Sequence, residues 1–101
     1  MISIGLEAAA QSMQARRRIC SHIYETRLLP SRHIGREAGS ALFIKAENFQ
    51  LTGSFKIRGA ASKMTALGID REVITASSGN HCIASAQAAA SIGQALTVVL
   101  P

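Results

Sequence analysis

A lysine at the predicted start of a helix is the residue best placed to do chemistry. Lys56 stands between Phe55 and Ile57, and Gly53 and Ser54 precede it. Ser54 is a typical N-cap residue, and a glycine before it frees the backbone to turn. The positive end of the helix dipole and partial desolvation both favour a neutral lysine amine. Such an amine can form a Schiff base with an aldehyde cofactor, although a solvated lysine without a chemical role remains the alternative.

A second stretch of small polar residues runs from Ser77 to His81, between a predicted strand and a predicted helix. Ligands of open α/β sheets bind at that place. Helix N-terminal amides and serine hydroxyls suit an anionic oxygen, and Gly79 lets a ligand approach the backbone. Asn80 offers an amide donor for a phenolate oxygen. The stretch is also ordinary N-cap chemistry, so a purely structural role stays open.

The elements that position these stretches follow from hydrophobic spacing. It predicts three helices and a helical turn, over about Leu6–Tyr24, Ser54–Leu67, Asn80–Ile92 and Ser31–Ala38. Short apolar runs predict three strands, at Ala41–Lys45, Val73–Ala76 and Leu96–Leu100. The last two strands have the composition of strands covered on both faces, and Thr26–Arg32 is interpreted as a connector. The β-α-β-α-β order predicts a parallel sheet with right-handed crossovers.

Composition restricts the class of protein. The 101 residues, 48% apolar, make one domain at most, and no apolar run approaches the roughly 18 residues of a membrane span. Met1 to Glu7 lack the pattern of a secretory signal, so we predict a cytoplasmic protein. The net charge of +5 comes without aromatic interleaving or a nucleic-acid motif, which favours a solvated helix face over nucleic-acid binding. Cys20, Cys82 and the histidines show no metal-ligand spacing.

Taken together, the two polar stretches resemble the fold-type II family of pyridoxal phosphate enzymes. The resemblance rests on Glu47–Ala60 and Thr75–His81 and extends over most of the chain from about Ile19. It implies a three-layer α/β/α fold with a parallel sheet, of which residues 1–101 are the incomplete N-terminal part. The family's glycine-rich phosphate loop is expected beyond residue 101. We therefore expect this chain alone to bind the cofactor weakly.

The resemblance also implies a role for each matched residue. The lysine that matches Lys56 holds pyridoxal 5′-phosphate, and the asparagine that matches Asn80 donates to the cofactor's 3′-oxygen. The serine that matches Ser78 is a second acid/base group in racemase members. The substrate carboxylate is received by the whole loop, Ser77, Ser78, Gly79, Asn80 and His81. The implied partner is a small amino-acid substrate.

Two positions separate the branches of this family. Cysteine and threonine synthases usually have Asp after the lysine and Thr after Ser-Gly-Asn, whereas this chain has Ile57 and His81. That combination resembles the threonine/serine dehydratases and serine racemases. It implies α,β-elimination of water from L-threonine or L-serine, with release of a 2-oxo acid and ammonia. Arg27 and Cys82 depart from the family pattern, which usually has Pro and a Gly or Ala there.

Three alternatives stay open. The first is a racemase of the same family. The second is a non-catalytic fragment that pairs with another chain or with itself as a homo-oligomer, because a terminal strand can leave an open edge. The third and weakest is a basic nucleic-acid-binding domain.

Overall fold

The order of elements confirms the α/β class. The computed structural model describes residues 3–101, so Met1 and Ile2 of the N-terminal segment lie outside the described residues. Within that range the helices and strands are α1 (Ile4–Ile19), β1 (Leu28–Pro30), β2 (Phe43–Lys45), α2 (Lys56–Leu67), β3 (Val73–Ala76), α3 (Asn80–Ile92) and β4 (Leu96–Val99). The predictions for β3 and α3 are confirmed at both ends, and those for α2 and β4 are confirmed within two residues.

The core forms where α2 and α3 pack against each other. The predicted apolar face of α2 is buried at Ile57, Ala60, Ala61 and Met64, and Leu67 is half-buried. Facing residues of α3 are small, and this permits close approach of the two helices. The buried cluster consists of Ile19, Ile57, Ala60, Ala61, Met64, Ala84, Ala88 and Ala89. The residue after Lys56 is therefore anchored in the core.

The pairing of β3 with β4 and the packing of α2 against α3 determine which ends of these elements lie together. Strands β3 and β4 pair in parallel, with Val73 opposite Leu96 and Ala76 opposite Val99. At the other ends of the helices, the Gln94 side-chain amide donates to the carbonyl of Gly68 at 2.8 Å. The carboxyl ends of α2 and α3 therefore lie together. Their amino ends point to the edge where β3 and β4 finish, because a crossover helix runs opposite to its strands.

The sequence-based prediction for the first strand is wrong in its partner and direction. Strand β2 pairs antiparallel with β1, so that Leu29 lies opposite Ile44 and Pro30 opposite Phe43. The predicted connector Thr26–Arg32 thus contains a strand, and β2 does not join the parallel pair. Proline disfavours the interior of a sheet, but Pro30 is tolerated at the end of an edge strand, where no partner needs its N–H.

The first helix ends earlier than predicted. It finishes at Ile19. Tyr24, the predicted end, is not helical, because its backbone N–H and C=O both bond to the buried side chain of Gln50, at 2.7 and 2.9 Å. A helical Tyr24 would direct its N–H at the carbonyl of residue 20. The predicted helical turn after Pro30 forms successive turns and ends at Gly39 with φ +62°.

One face of the β3–β4 sheet is bare, which contradicts the expectation that both faces are covered. Val73 and Leu96 pack toward the core, while Ile74 is 66% and Val99 52% exposed. The reason is that α3 is the helix packed on this sheet among the described residues. No helix in residues 3–101 combines the length and apolarity that crossing a membrane requires.

Candidate functional site

Lys56 is the first residue of α2, and the residues before it define where the helix begins. Gly53 has φ +75°, a conformation that side-chain-bearing residues rarely adopt, and it reverses the chain there. The hydroxyl of buried Ser54 accepts the backbone N–H of Lys56 at 3.4 Å. Phe55 already has helical dihedral angles, so the predicted start at Ser54 and the observed one differ by the usual uncertainty of helix ends.

The amine of Lys56 is accessible. Its side chain is exposed, and its Nζ lies 5.2 Å from the centre of the Phe55 ring. Within residues 3–101 this amine makes no hydrogen bond or ion pair, so it is available to an incoming aldehyde. The desolvation expected from its two apolar neighbours is absent, because Phe55 is itself 60% exposed.

The first three residues of the Ser77–His81 loop, Ser77 to Gly79, line an open cleft at the ends of the parallel strands. The loop begins where the N–H of Ser77 bonds to the carbonyl of Val99 at 3.2 Å. The Ser77 hydroxyl then accepts the N–H of Gly79 at 3.3 Å. A Cβ at Gly79 would have no heavy atom within 4 Å, so the backbone is open to a ligand. The cleft measures about 450 Å³ and is lined by Ala76, Ser77, Ser78, Gly79, Val99, Leu100 and Pro101.

His81 lies at the end of this loop, with its ring directed at the junction of β3 and α3. Its Nε2 is 3.1 Å from the Thr75 hydroxyl and 3.5 Å from the hydroxyl of Ser85, which is buried. These contacts tie the loop to both neighbouring elements. His81 thus fixes the first turn of α3, where Asn80 presents an exposed side chain.

The two predicted stretches share one end of the molecule. Lys56 and Asn80 begin α2 and α3, and these helices pack side by side with their carboxyl ends joined through Gln94. Ile57 and Ala84, near the starts of α2 and α3, belong to one buried cluster, so the two helices begin at the same end of the molecule. In residues 3–101 the Lys56 side chain forms no hydrogen bond with the Ser77–His81 loop. A bound molecule would have to bridge them.

Sequence reasoning assigned no role to an ion pair that holds the segment before Lys56. Arg58 donates to both carboxylate oxygens of Glu47, from Nε and from a terminal nitrogen, at 2.8 Å each. The Thr26 hydroxyl donates to the same carboxylate. These bonds join the start of α2 to the segment before β1. Glu47 and Arg58 are eleven residues apart with a turn between them, so no helical or strand period pairs them.

The ion pair changes the acidity of its carboxylate. The two hydrogen bonds from Arg58 lower the pKa of Glu47 from its ordinary 4.5 to about 2, against the opposing effect of burial. The bonds to Glu47 in turn raise the pKa of Arg58. The Glu47 side chain is 17% exposed and that of Arg58 35%, so solvent partly screens the pair.

Glu47→Gln is expected to lower the free energy of unfolding by about 1–2 kcal/mol at pH 7, after allowance for screening. A pKa that is lower in the folded state stabilises above the unfolded pKa. The loss should therefore shrink as the pH falls from about 5 to about 2. Urea unfolding at about pH 7, 4 and 2 measures it, with Glu72→Gln as an exposed control. A Glu47→Gln deficit of equal size at about pH 2 would contradict this account.

Comparison with known proteins identifies the family of this chain. Residues 19–101 match the family model described as pyridoxal-phosphate dependent enzyme. The chain belongs to this family. Enzymes of the family depend on pyridoxal phosphate, and the matched range includes Lys56, the Ser77–His81 loop and the ion pair of Glu47 with Arg58.

The individual family members that match this chain include both serine racemases and L-threonine ammonia-lyases. A rice (Oryza sativa subsp. indica) serine racemase is 42% identical over 91 residues, which are 87% of this chain and 27% of the racemase. The L-threonine ammonia-lyase of Geobacter sulfurreducens is 39% identical over 87 residues, 83% of this chain and 22% of the lyase. The solved serine racemase of Dictyostelium discoideum superposes with a TM-score of 0.84 at 37% identity, covering 91% of this chain and 31% of that one.

This chain therefore spans about a quarter of the length of the curated relatives that it matches. Racemases and ammonia-lyases match it similarly well, so the family is established and the branch is not.

Proposed function

We propose that Lys56 is the residue of this chain that carries pyridoxal phosphate, and that the chain supplies the N-terminal part of a threonine/serine dehydratase. The observation that carries the proposal is the free, exposed Lys56 amine at the start of α2, at the same end as the Ser77–His81 loop. The cytoplasmic location predicted from the sequence is part of the same proposal.

The donor set of this end fits the cofactor. An aldehyde needs an accessible primary amine, which Lys56 has, and a phenolic oxygen needs a donor, which the exposed Asn80 amide offers. The open backbone at Gly79 leaves room for a flat ring or a carboxylate beside the strand ends.

When bound, pyridoxal phosphate acts as an electron sink for the substrate's α-carbon. The proposed roles of the chain's own groups follow from their positions. The Ser77–His81 loop at the start of α3 would receive the substrate carboxylate and orient the α-hydrogen. The Lys56 amine would be the base that takes the α-proton at Nζ. The β-hydroxyl would leave as water, and a second water would then hydrolyse the released enamine, through its imine tautomer, to a 2-oxo acid and ammonia.

A racemase is the second candidate, favoured by the position of Ser78 on the cleft and by the identity to serine racemases. Racemisation needs a proton donor on the face opposite the lysine, and the Ser78 hydroxyl would supply it. Elimination needs no second acid on that face. The two candidates therefore make different demands on Ser78.

Ser78→Ala should separate the two reactions. With L-serine and saturating cofactor, we expect the variant to lose at least about tenfold in D-serine formation and to keep its 2-oxo acid release within about twofold. Chiral chromatography and a coupled 2-oxo acid assay measure the two products. Ser91→Ala is the control, because Ser91 is exposed in the last turn of α3, away from the loop. Equal loss of both products would contradict the assigned role of Ser78.

The isolated chain is expected to turn over poorly, since it spans about a quarter of the relatives' length. Ammonia release from L-threonine at saturating cofactor tests this. Robust turnover by the chain alone would show that residues 3–101 already hold the phosphate well, which the structure gives no reason to expect.

A further inference from the structure

The first turn of α2 is held by two of its side chains. Ile57 is fully buried and belongs to the core cluster shared with α3. Arg58 donates to both carboxylate oxygens of Glu47 at 2.8 Å each. Consecutive residues of a helix are turned by about 100° around its axis, so Lys56, Ile57 and Arg58 face three different directions. With two of these directions fixed, the first turn cannot rotate, and the Cα–Cβ bond of Lys56 keeps one direction.

Glu47 is itself fixed, so it can serve as an anchor for Arg58. It begins a short 3-10 helix, Glu47–Phe49, that follows β2. The hydroxyl of buried Thr26 donates to Oε1 of Glu47, and the Lys45 amine donates to the carbonyl of Thr26. A carboxylate that accepts bonds from three donor groups has little freedom to turn. The guanidinium of Arg58 is therefore bonded to a fixed group and not to a mobile surface side chain.

A second buried side chain holds the segment between Glu47 and Lys56. Gln50 is 4% exposed, and its amide bonds to both backbone groups of Tyr24. Its Oε1 also accepts the N–H of Leu51 at 2.9 Å. The segment that leads to Lys56 is therefore tied to the residues before β1 by the side chains of both Glu47 and Gln50.

We propose that Glu47 and Arg58 are positioning residues for Lys56, and that their two-bonded pair sets the direction from which the Lys56 amine meets the cofactor aldehyde. They act through the backbone of α2 and not on the reacting atoms themselves. This inference deepens the proposed function and rests on it, since Lys56 must be the residue that carries pyridoxal phosphate. A reacting group that is misplaced by about 1 Å can lose about 100-fold in rate, and a fixed first turn avoids that loss.

The shape of the guanidinium separates positioning from a simple effect of charge. A cation near Lys56 would favour its neutral amine whatever the geometry. Positioning instead needs the two parallel hydrogen bonds that arginine can make to a carboxylate and lysine cannot. Arg58→Lys keeps the charge and loses this pair of bonds. When Glu47 is neutralised, Glu25 remains as a carboxylate that acts on Arg58, so we expect the guanidinium to turn toward it.

The test combines Glu47→Gln and Arg58→Met, singly and together, in the 101-residue chain. Each variant is treated with pyridoxal phosphate and borohydride, and peptide mass spectrometry gives the ratio of labelling at Lys56 to labelling at Lys63. We expect each single substitution to lower this ratio about fivefold or more. The double variant should lower it no further, because the same pair is already lost. Arg58→Lys should lower the ratio nearly as much as Arg58→Met. Met64→Val is the control, since Met64 is buried in the same helix about two turns beyond Lys56.

All variants are labelled under conditions in which circular dichroism shows the same folded fraction, so Met64→Val should leave the ratio unchanged, as would a merely structural role of the pair. Arg58→Lys keeps the proposal testable if the uncharged variants fail to fold. An unchanged ratio in Glu47→Gln or Arg58→Met, additive losses in the double variant, or a fully retained ratio in Arg58→Lys would each overturn the proposal. Equal labelling of Lys56 and Lys63 in the unmodified chain rejects the proposed function together with this inference. A preference for Lys56 that survives loss of the pair rejects this inference alone.

Discussion

Lys56→Arg is expected to abolish the covalent attachment of pyridoxal phosphate that borohydride makes permanent. Arginine keeps the positive charge and the length of the side chain, but its guanidinium is not a nucleophilic amine. Lys56 is the first residue of α2, and its amine makes no hydrogen bond or ion pair within residues 3–101. The stoichiometry of bound cofactor after reduction and desalting measures the effect. We expect it to fall to the stoichiometry that the same chain reaches when it is unfolded in urea.

Two other lysines supply the controls for this substitution. The Lys45 amine donates to the carbonyl of Thr26 and so is engaged. Lys63 is exposed in the middle of α2, where the helix dipole has little effect on its amine. Lys45→Arg and Lys63→Arg should each leave most of the stoichiometry of the unmodified chain in place. Equal losses from all three substitutions would contradict the assignment of Lys56.

Ile57→Ala should cost about 3 kcal/mol of unfolding free energy, because Ile57 is fully buried among small alanines that cannot collapse into the space. This is a large part of the stability of a small domain. The same substitution should loosen the first turn of α2 and therefore the position of Lys56. Urea unfolding at pH 7 measures the free energy, and cofactor stoichiometry after reduction reports the lysine.

Ile69→Ala is the matched control for Ile57→Ala, since Ile69 is 63% exposed and should cost less than about 0.5 kcal/mol. Similar losses at the two positions would mean that α2 and α3 do not form the core. A stable Ile57→Ala chain would lead to the same conclusion.

The second half of the fold could be predicted because its signals are local. Apolar spacing, β-branched runs and the glycines at 68 and 93 mark α2, β3, α3 and β4 within a few residues of each element. The first half depends on distant contacts. Gln50 bonds to Tyr24 and holds it outside the helix, and β1 pairs with Phe43–Lys45. No local pattern encodes either contact.

The candidate site divides in the same way. The polar residues from Ser77 to His81 and the lysine at a helix start could be recognised from residue types and order. The ion pair of Glu47 with Arg58 and the contacts of His81 with Thr75 and Ser85 could not, because they join residues by geometry alone. The exposure of Ile74 and Val99 was also missed, because an apolar run does not show how many faces of its sheet a helix covers.

The central claim is that the fold makes Lys56 a selective site for pyridoxal phosphate. The most direct test treats the chain with pyridoxal phosphate and borohydride, once folded and once in urea, and maps the labelled lysines by peptide mass spectrometry. The account predicts that the folded chain is labelled at Lys56 in preference to Lys45 and Lys63, and that urea removes this preference. Equal labelling of the three lysines in the folded chain would contradict the account, because the chain would then contain no organised lysine site.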